Sequence, residues 1–159
     1  MKLPVSILFI LSSFRSFSQT DVFRVKEFNL DEGLAIRGYD PVSYFAQNKA
    51  VKGKKEFSFS YHGVSYHFAS ATDLVNFKAT PAKYEPQYGG WCAYAMGHDG
   101  SKVEIDPETF KITNGKLFLF YNRFFNNTLK SWNQDEPKLH VQADANWQIF
   151  FTTLLKTAI

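Results

Sequence analysis

The run Phe57-Ser58-Phe59-Ser60-Tyr61-His62-Gly63-Val64-Ser65-Tyr66-His67-Phe68 constrains the fold more than any other part of the chain. Large apolar side chains alternate with small or polar ones on both sides of His62-Gly63, the period-two pattern of strands with one buried face. With His62-Gly63 as a two-residue turn, Tyr61 faces Val64, Phe59 faces Tyr66 and Phe57 faces Phe68. All six then lie on one side, so register and burial agree. Glycine supplies the positive φ such a turn demands, and histidine tolerates it better than most residues.

A second hairpin is expected around Asn114-Gly115, the strongest short-range hairpin signal. It sets Ile112 opposite Leu117 and Phe110 opposite Leu119. Val103-Glu104-Ile105 reads as a strand, and Asp106-Pro107-Glu108 as a turn after it. Helix starts are marked by Asp40-Pro41 and by Ser70 with Asp73 three residues on, since Ser and Asp cap and Pro suits the first turn. Leu74 and Phe77 form the apolar stripe of the second of these helices, which ends or restarts at Pro81. Gly89-Gly90 breaks the chain, and Trp91 to Met96 reads as one or two helical turns closed by Gly97. From Asn122 the spacing of Phe125, Leu129 and Trp132 suggests helix. Asp135-Glu136-Pro137 then restarts a helix carrying Leu139, Val141, Ala145 and Trp147. The fold class is α+β: two antiparallel β-hairpins packed with several short helices and a C-terminal helix.

The N-terminus carries a different kind of information. Lys2 precedes the apolar run Leu3 to Leu11, and small residues sit two apart at Ser16 and Ser18 before Gln19. A charged start, a short apolar stretch and a small-x-small site describe a cleavable signal peptide over residues 1–18. The run is too short to span a bilayer, which takes about 20 apolar residues, and no later segment reaches that length. The expected location is secreted or periplasmic, after cleavage near Ser18-Gln19, with no membrane span in the mature form. Removing residues 1–18 takes Lys2 and Arg15 from the 18 basic residues, leaving 16 against 15 acidic ones, a net charge of +1. That balance, without a basic block, argues against nucleic acid as a partner. The rest divides into a polar lead-in (19–36), one domain (37–148) and an apolar C-terminal extension (149–159).

Cys92 is the sole cysteine, so no intramolecular disulfide forms. Small exported domains often depend on such cross-links. This one must rely on packing, for which its 17 Phe and 18% aromatic content are well suited. A lone thiol in an oxidising compartment is buried, bound to metal or paired with another molecule.

Four stretches stand out: Tyr39-Asp40-Pro41-Val42-Ser43-Tyr44-Phe45, Tyr61-His62-Gly63-Val64-Ser65-Tyr66-His67-Phe68-Ala69-Ser70, then Phe77, Pro81 and Tyr84, and Tyr88-Gly89-Gly90-Trp91-Cys92-Ala93. Together they resemble the longer, exported form of the YHS domain. Ile105-Asp106-Pro107, Gly115-Lys116-Leu117, Tyr121-Asn122, Trp132 and Ala143-Asp144 with Asn146-Trp147 extend the likeness. It covers about Arg37 to Trp147. The resemblance implies a small α+β module associated with binding a metal, copper or zinc in particular. In the metal-associated short form the motif is similar to Tyr-x-Phe-Cys-Ser-x-x-Cys-x-x-x-Phe. Here its two cysteine positions are Ala69 and Asp73. Without those thiolates the usual metal site does not carry over.

One constellation could still hold a soft metal: Cys92, Met96 and His98. A helix over 91–96 would place Cys92 and Met96 at i and i+4, with His98 past the Gly97 break. A thiolate, a thioether and an imidazole suit copper(I). The plainer reading makes Cys92 and Met96 the core side of an apolar helix. His62 is a turn residue, His67 lies opposite the aromatic face, and His140 stands alone in the last helix. Cys92 as a nucleophile would need a base or a helix N-terminus beside it, and no His-Asp or His-Asn signature accompanies it. The leading expectation is an exported, non-enzymatic module binding copper or zinc around Cys92. The rivals are a structural or protein-interaction module with no metal, and a thiol-dependent enzyme.

Overall fold

The structure, a computed structural model, describes the backbone of residues 15–157 and the side chains of residues 21–153. The apolar run of the expected signal peptide lies outside the described residues. The architecture is α+β.

The first hairpin pairs β3 (Lys54–Tyr61) with β4 (Val64–Phe68). Its turn is the expected one: His62 and Gly63 take φ of 48° and 79°, and Tyr61 pairs with Val64 and Phe59 with Tyr66. The third expected pair is displaced. Phe68 lies opposite Lys54, because β3 bulges between Lys54 and Ser58. The strand leaves the ladder just beyond Phe68, where the Ala69 N–H donates to Asp40 Oδ2 at 2.8 Å. Strands β1 (Leu30–Asp31) and β2 (Leu34–Ala35) extend the sheet to the order β1-β2-β4-β3.

The buried face of this sheet receives α3 (Ala71–Ala79). Ser70 caps that helix, accepting from Asp73 N, as the sequence suggests. Phe77 is fully buried, with the rings of Phe59, Tyr61, Tyr66, Phe68 and Tyr84 at 4.8 to 6.4 Å from its own. Ring pairs of this kind add about 0.5–1.5 kcal/mol each beyond area burial. Asp40 caps α2 (Pro41–Gln47), its carboxylate accepting from Val42 N at 2.8 Å. The short α4 (Pro81–Tyr84) starts at Pro81.

The second hairpin, β5 (Asp106–Thr113) and β6 (Lys116–Phe120), has the expected register, with Ile112 opposite Leu117 and Phe110 opposite Leu119. The segment before it differs from expectation. Val103 to Ile105 forms no strand, and its Val103 carbonyl accepts from Cys92 N at 3.0 Å. Asp106 to Glu108 is the irregular start of β5 and not a separate turn. Its kink is held by Asp106, which accepts from Glu108 N and from the Thr109 hydroxyl.

Three further expectations are corrected. Helix α5 (Ala93–His98) runs through Gly97 instead of ending there. Gly97 is needed for a close crossing with α7 (Glu136–Thr157) at Leu139, not for a cap. Residues 122–127 form a tight hairpin, β7 (Asn122–Arg123) and β8 (Asn126–Asn127), and the helix starts only at α6 (Thr128–Trp132), capped by Asn127. Phe125 is therefore a turn residue. On α7 the inward positions are Leu139, Ala143 and Trp147, while Val141 and Ala145 face solvent.

The segment read as a polar lead-in folds as α1 (Arg15–Glu27). Its Phe23 is buried against Trp147 and Phe151 of α7, with ring centroids 5.7 and 5.1 Å apart. The apolar stretch after residue 148 continues α7 through Thr157, and Phe151 packs on the body. No helix among the described residues is long and apolar enough to cross a membrane.

Candidate functional site

Cys92 sits at the N-cap of α5, where two hydrophobic clusters meet. Its backbone is pinned on both sides: N–H donates to Val103 O and C=O accepts from Met96 N, each at 3.0 Å. It is 0% exposed. The Tyr121 N–H donates to its sulfur at 3.4 Å. Thr128 Oγ1 lies 3.3 Å from the sulfur and also donates to Tyr121 O at 3.0 Å. A hydroxyl has one proton. With that proton given to the Tyr121 carbonyl, the contact to Cys92 is a thiol donating to Thr128 Oγ1. The geometry therefore accommodates a neutral thiol with both its donor and its acceptor engaged. The sulfur makes no capping bond to α5, so the helix N-terminus does not serve a thiolate there. Neither sulfur partner is an imidazole.

Met96 and His98 do not share this environment. Met96 is fully buried in the second cluster, with Tyr88, Phe118, Phe120 and Trp132. His98 is exposed on the last turn of α5, its ring stacked on Tyr94 with centroids 5.4 Å apart and planes 9° apart. The three side chains face a sealed core, a second core and solvent. As placed they make no common donor set for a soft metal. Among the described residues, no group of three or more His, Cys, Asp or Glu side chains is arranged to hold an ion.

Each remaining histidine has another setting. His62 Nδ1 lies 2.8 Å from Asp21 Oδ1 of α1. His67 is half-buried, and burial, with Lys52 and Lys55 nearby, lowers its pKa. His140 packs edge-on to Phe118.

Residues 42–88 match the family model of the YHS domain. This is a YHS domain-containing chain. No curated protein and no solved structure matches it. The YHS segment runs from α2 into the 3₁₀ turn at Gln87–Gly90 and ends at residue 88, so Cys92 lies beyond it. Inside the YHS segment, the positions that bear cysteine in the metal-associated short form do capping work. Ala69 donates its N–H to Asp40, and Asp73 accepts from the Ser70 hydroxyl at 2.7 Å. Asp40 is fully buried, and its carboxylate accepts one backbone N–H at each oxygen. Burial, with Asp73 adding to it, pushes its pKa up to about 6 against those two donors.

No local pattern points to the residues that join α1 to the rest of the fold. Arg24 pairs with Glu85, which also accepts from the Tyr66 hydroxyl. The same guanidinium donates to the carbonyls of Tyr61 and His62, capping the hairpin turn, and lies over the Phe28 and Tyr61 rings. Glu27 pairs with Lys102, and its carbonyl accepts from Trp91 Nε1 at 2.7 Å. Nothing within 19–36 signalled this, because the partners are distant in sequence. Also unforeseen is an open cleft of about 380 Å³ between Asn29, Ile36 and Ile105, with the Arg37–Glu104 ion pair (2.9 Å) on its wall.

Proposed function

We propose that the chain is an exported, non-enzymatic YHS-type binding module that works through its surface, with Cys92 as a structural thiol. One observation carries this reading: the Cys92 sulfur is fully buried and has its donor and acceptor both engaged by Thr128 and Tyr121. A soft metal would have to displace both hydrogen bonds and draw a thiolate into an apolar core, which costs several kcal/mol unless compensated. Met96 and His98, in a second core and in solvent, offer no such compensation. A nucleophile would need access and a base, and the sulfur has neither among its contacts. Export is supported by Lys2, the apolar run after it and the Ser16/Ser18 pair.

The test is a copper(I) and zinc titration of the wild type against Cys92→Ser, with competing chelators. Serine can replace both hydrogen bonds, so the variant folds. The two proteins are expected to bind each metal equally weakly. Stoichiometric binding that disappears in Cys92→Ser would overturn the reading in favour of copper or zinc at this residue. N-terminal sequencing of exported protein is expected to start near Gln19.

A further inference from the structure

The hairpin β7–β8 turns through two phenylalanines. Phe124 and Phe125 have φ of 52° and 65°, both in the left-handed region. Two-residue hairpin turns with both central residues left-handed strongly prefer Asn, Asp or Gly. Bulky side chains are strained there. Burial does not account for the choice, because the two residues are 89% and 112% exposed. Neither ring packs on another ring among the described residues. The tip thus combines backbone strain with apolar exposure, and each alone disfavours this sequence.

The segment that carries the tip is polar and positive along the chain. Asn122, Arg123, Asn126 and Asn127 form the stem, and no acidic residue lies between Tyr121 and Gln134. Arg123 and Lys130 are exposed, and neither forms an ion pair among the described residues.

We propose that the Phe124–Phe125 tip is a membrane-anchoring wedge that inserts both rings into the interface of an anionic lipid bilayer, with Arg123 and Lys130 meeting the headgroup phosphates. Area separates this from a protein partner. Two aromatic side chains offer about 300–500 Å², well below the roughly 800 Å² per partner of a stable protein interface. The Asn ring around the tip does not extend the apolar surface. A bilayer needs no matching surface: apolar burial and attraction of cations to anionic lipid act together. The backbone suits that medium too. Asn122 pairs with Asn127 and Arg123 with Asn126, so most polar groups of the stem are satisfied before it nears hydrocarbon. The asparagines then mark the headgroup level and limit the depth.

This inference does not rest on the role of Cys92, and its test is independent of the metal titration. Purified full chain is mixed with vesicles of phosphatidylcholine alone or of phosphatidylcholine with phosphatidylglycerol, and bound protein is measured by sedimentation. The wild type is expected to bind the anionic vesicles, and F124N/F125G to bind them at least about tenfold less tightly, as loss of two apolar anchors requires. Because Asn-Gly suits the turn, F124N/F125G should melt no lower than the wild type, so a folding defect cannot explain the loss. Arg123→Gln should reduce the preference for anionic over zwitterionic vesicles. The proposal is overturned if F124N/F125G binds as the wild type does. It is also overturned if the wild type binds neither vesicle, or if the wild type self-associates through this tip without binding lipid.

Discussion

The carbonyl oxygen of Leu139 lies 2.5 Å from where a Cβ on Gly97 would stand. In an isolated helix, alanine at this position would be favourable by about 1 kcal/mol. Here it would wedge α5 and α7 apart, and the obstacle is backbone, which has no rotamer to yield. Gly97→Ala is therefore expected to destabilise by about 1–3 kcal/mol or more, read as a lower midpoint in urea. A stabilised Gly97→Ala would show that the crossing is looser than described.

Arg24 joins α1 to the YHS domain through a nearly buried charge cluster, its side chain 10% exposed and that of Glu85 15% exposed. Removing one partner of such a pair leaves an uncompensated charge, at a cost of about 3–5 kcal/mol. Arg24→Ala should lose about that much. Arg24→Lys should recover only a part, because an ammonium cannot serve Glu85 and the Tyr61 and His62 carbonyls at once. Limited proteolysis should then cut within 19–29 in Arg24→Ala and leave that segment intact in the wild type.

The environment of Cys92 predicts a silent thiol. Native protein should resist an aromatic disulfide reagent at neutral pH, and the thiol should titrate fully once denatured. Cys92→Ala leaves the Tyr121 N–H without its acceptor and should cost about 1–3 kcal/mol, whereas Cys92→Ser should cost less. Rapid labelling of the folded chain would contradict the sealed core.

Asp40 gives the stability a pH dependence of unusual sign. Its carboxyl titrates at about 6 when folded, raised chiefly by burial, against an ordinary value of 3.8. Between those two values the folded state holds more protons than the unfolded one, so stability falls as pH rises from about 4 to about 6 and levels off above. Asp40→Asn should remove this slope from a series of melting curves. It should also lower stability at pH 7, since its amide would present a donor to either the Val42 or the Ala69 N–H. A melting series that is equally steep in Asp40→Asn would assign the slope to other groups.

Local signals determined a large share of this protein. The alternation around His62-Gly63, the Asn114-Gly115 turn, and the caps at Asp40 and Ser70 all encode contacts within a few residues, and all four form, the first with a bulge that sets Lys54 instead of Phe57 opposite Phe68. The YHS domain was legible for the same reason, since its motif is a string of turn and cap residues with their apolar partners. Tertiary structure decided the rest. Helix α1 carries few apolar residues and is held by Glu85, Trp91 and Lys102, which no local pattern points to. Gly97 reads as a helix stop by itself and becomes a crossing point only once Leu139 is set against it. Phe125 fits a helical spacing, yet Tyr121 and Thr128 close a hairpin around it. Whether Cys92, Met96 and His98 could act together depended on which side of α5 met which core. A one-dimensional spacing cannot carry that, because burial is a property of the assembled layers and not of the helix itself.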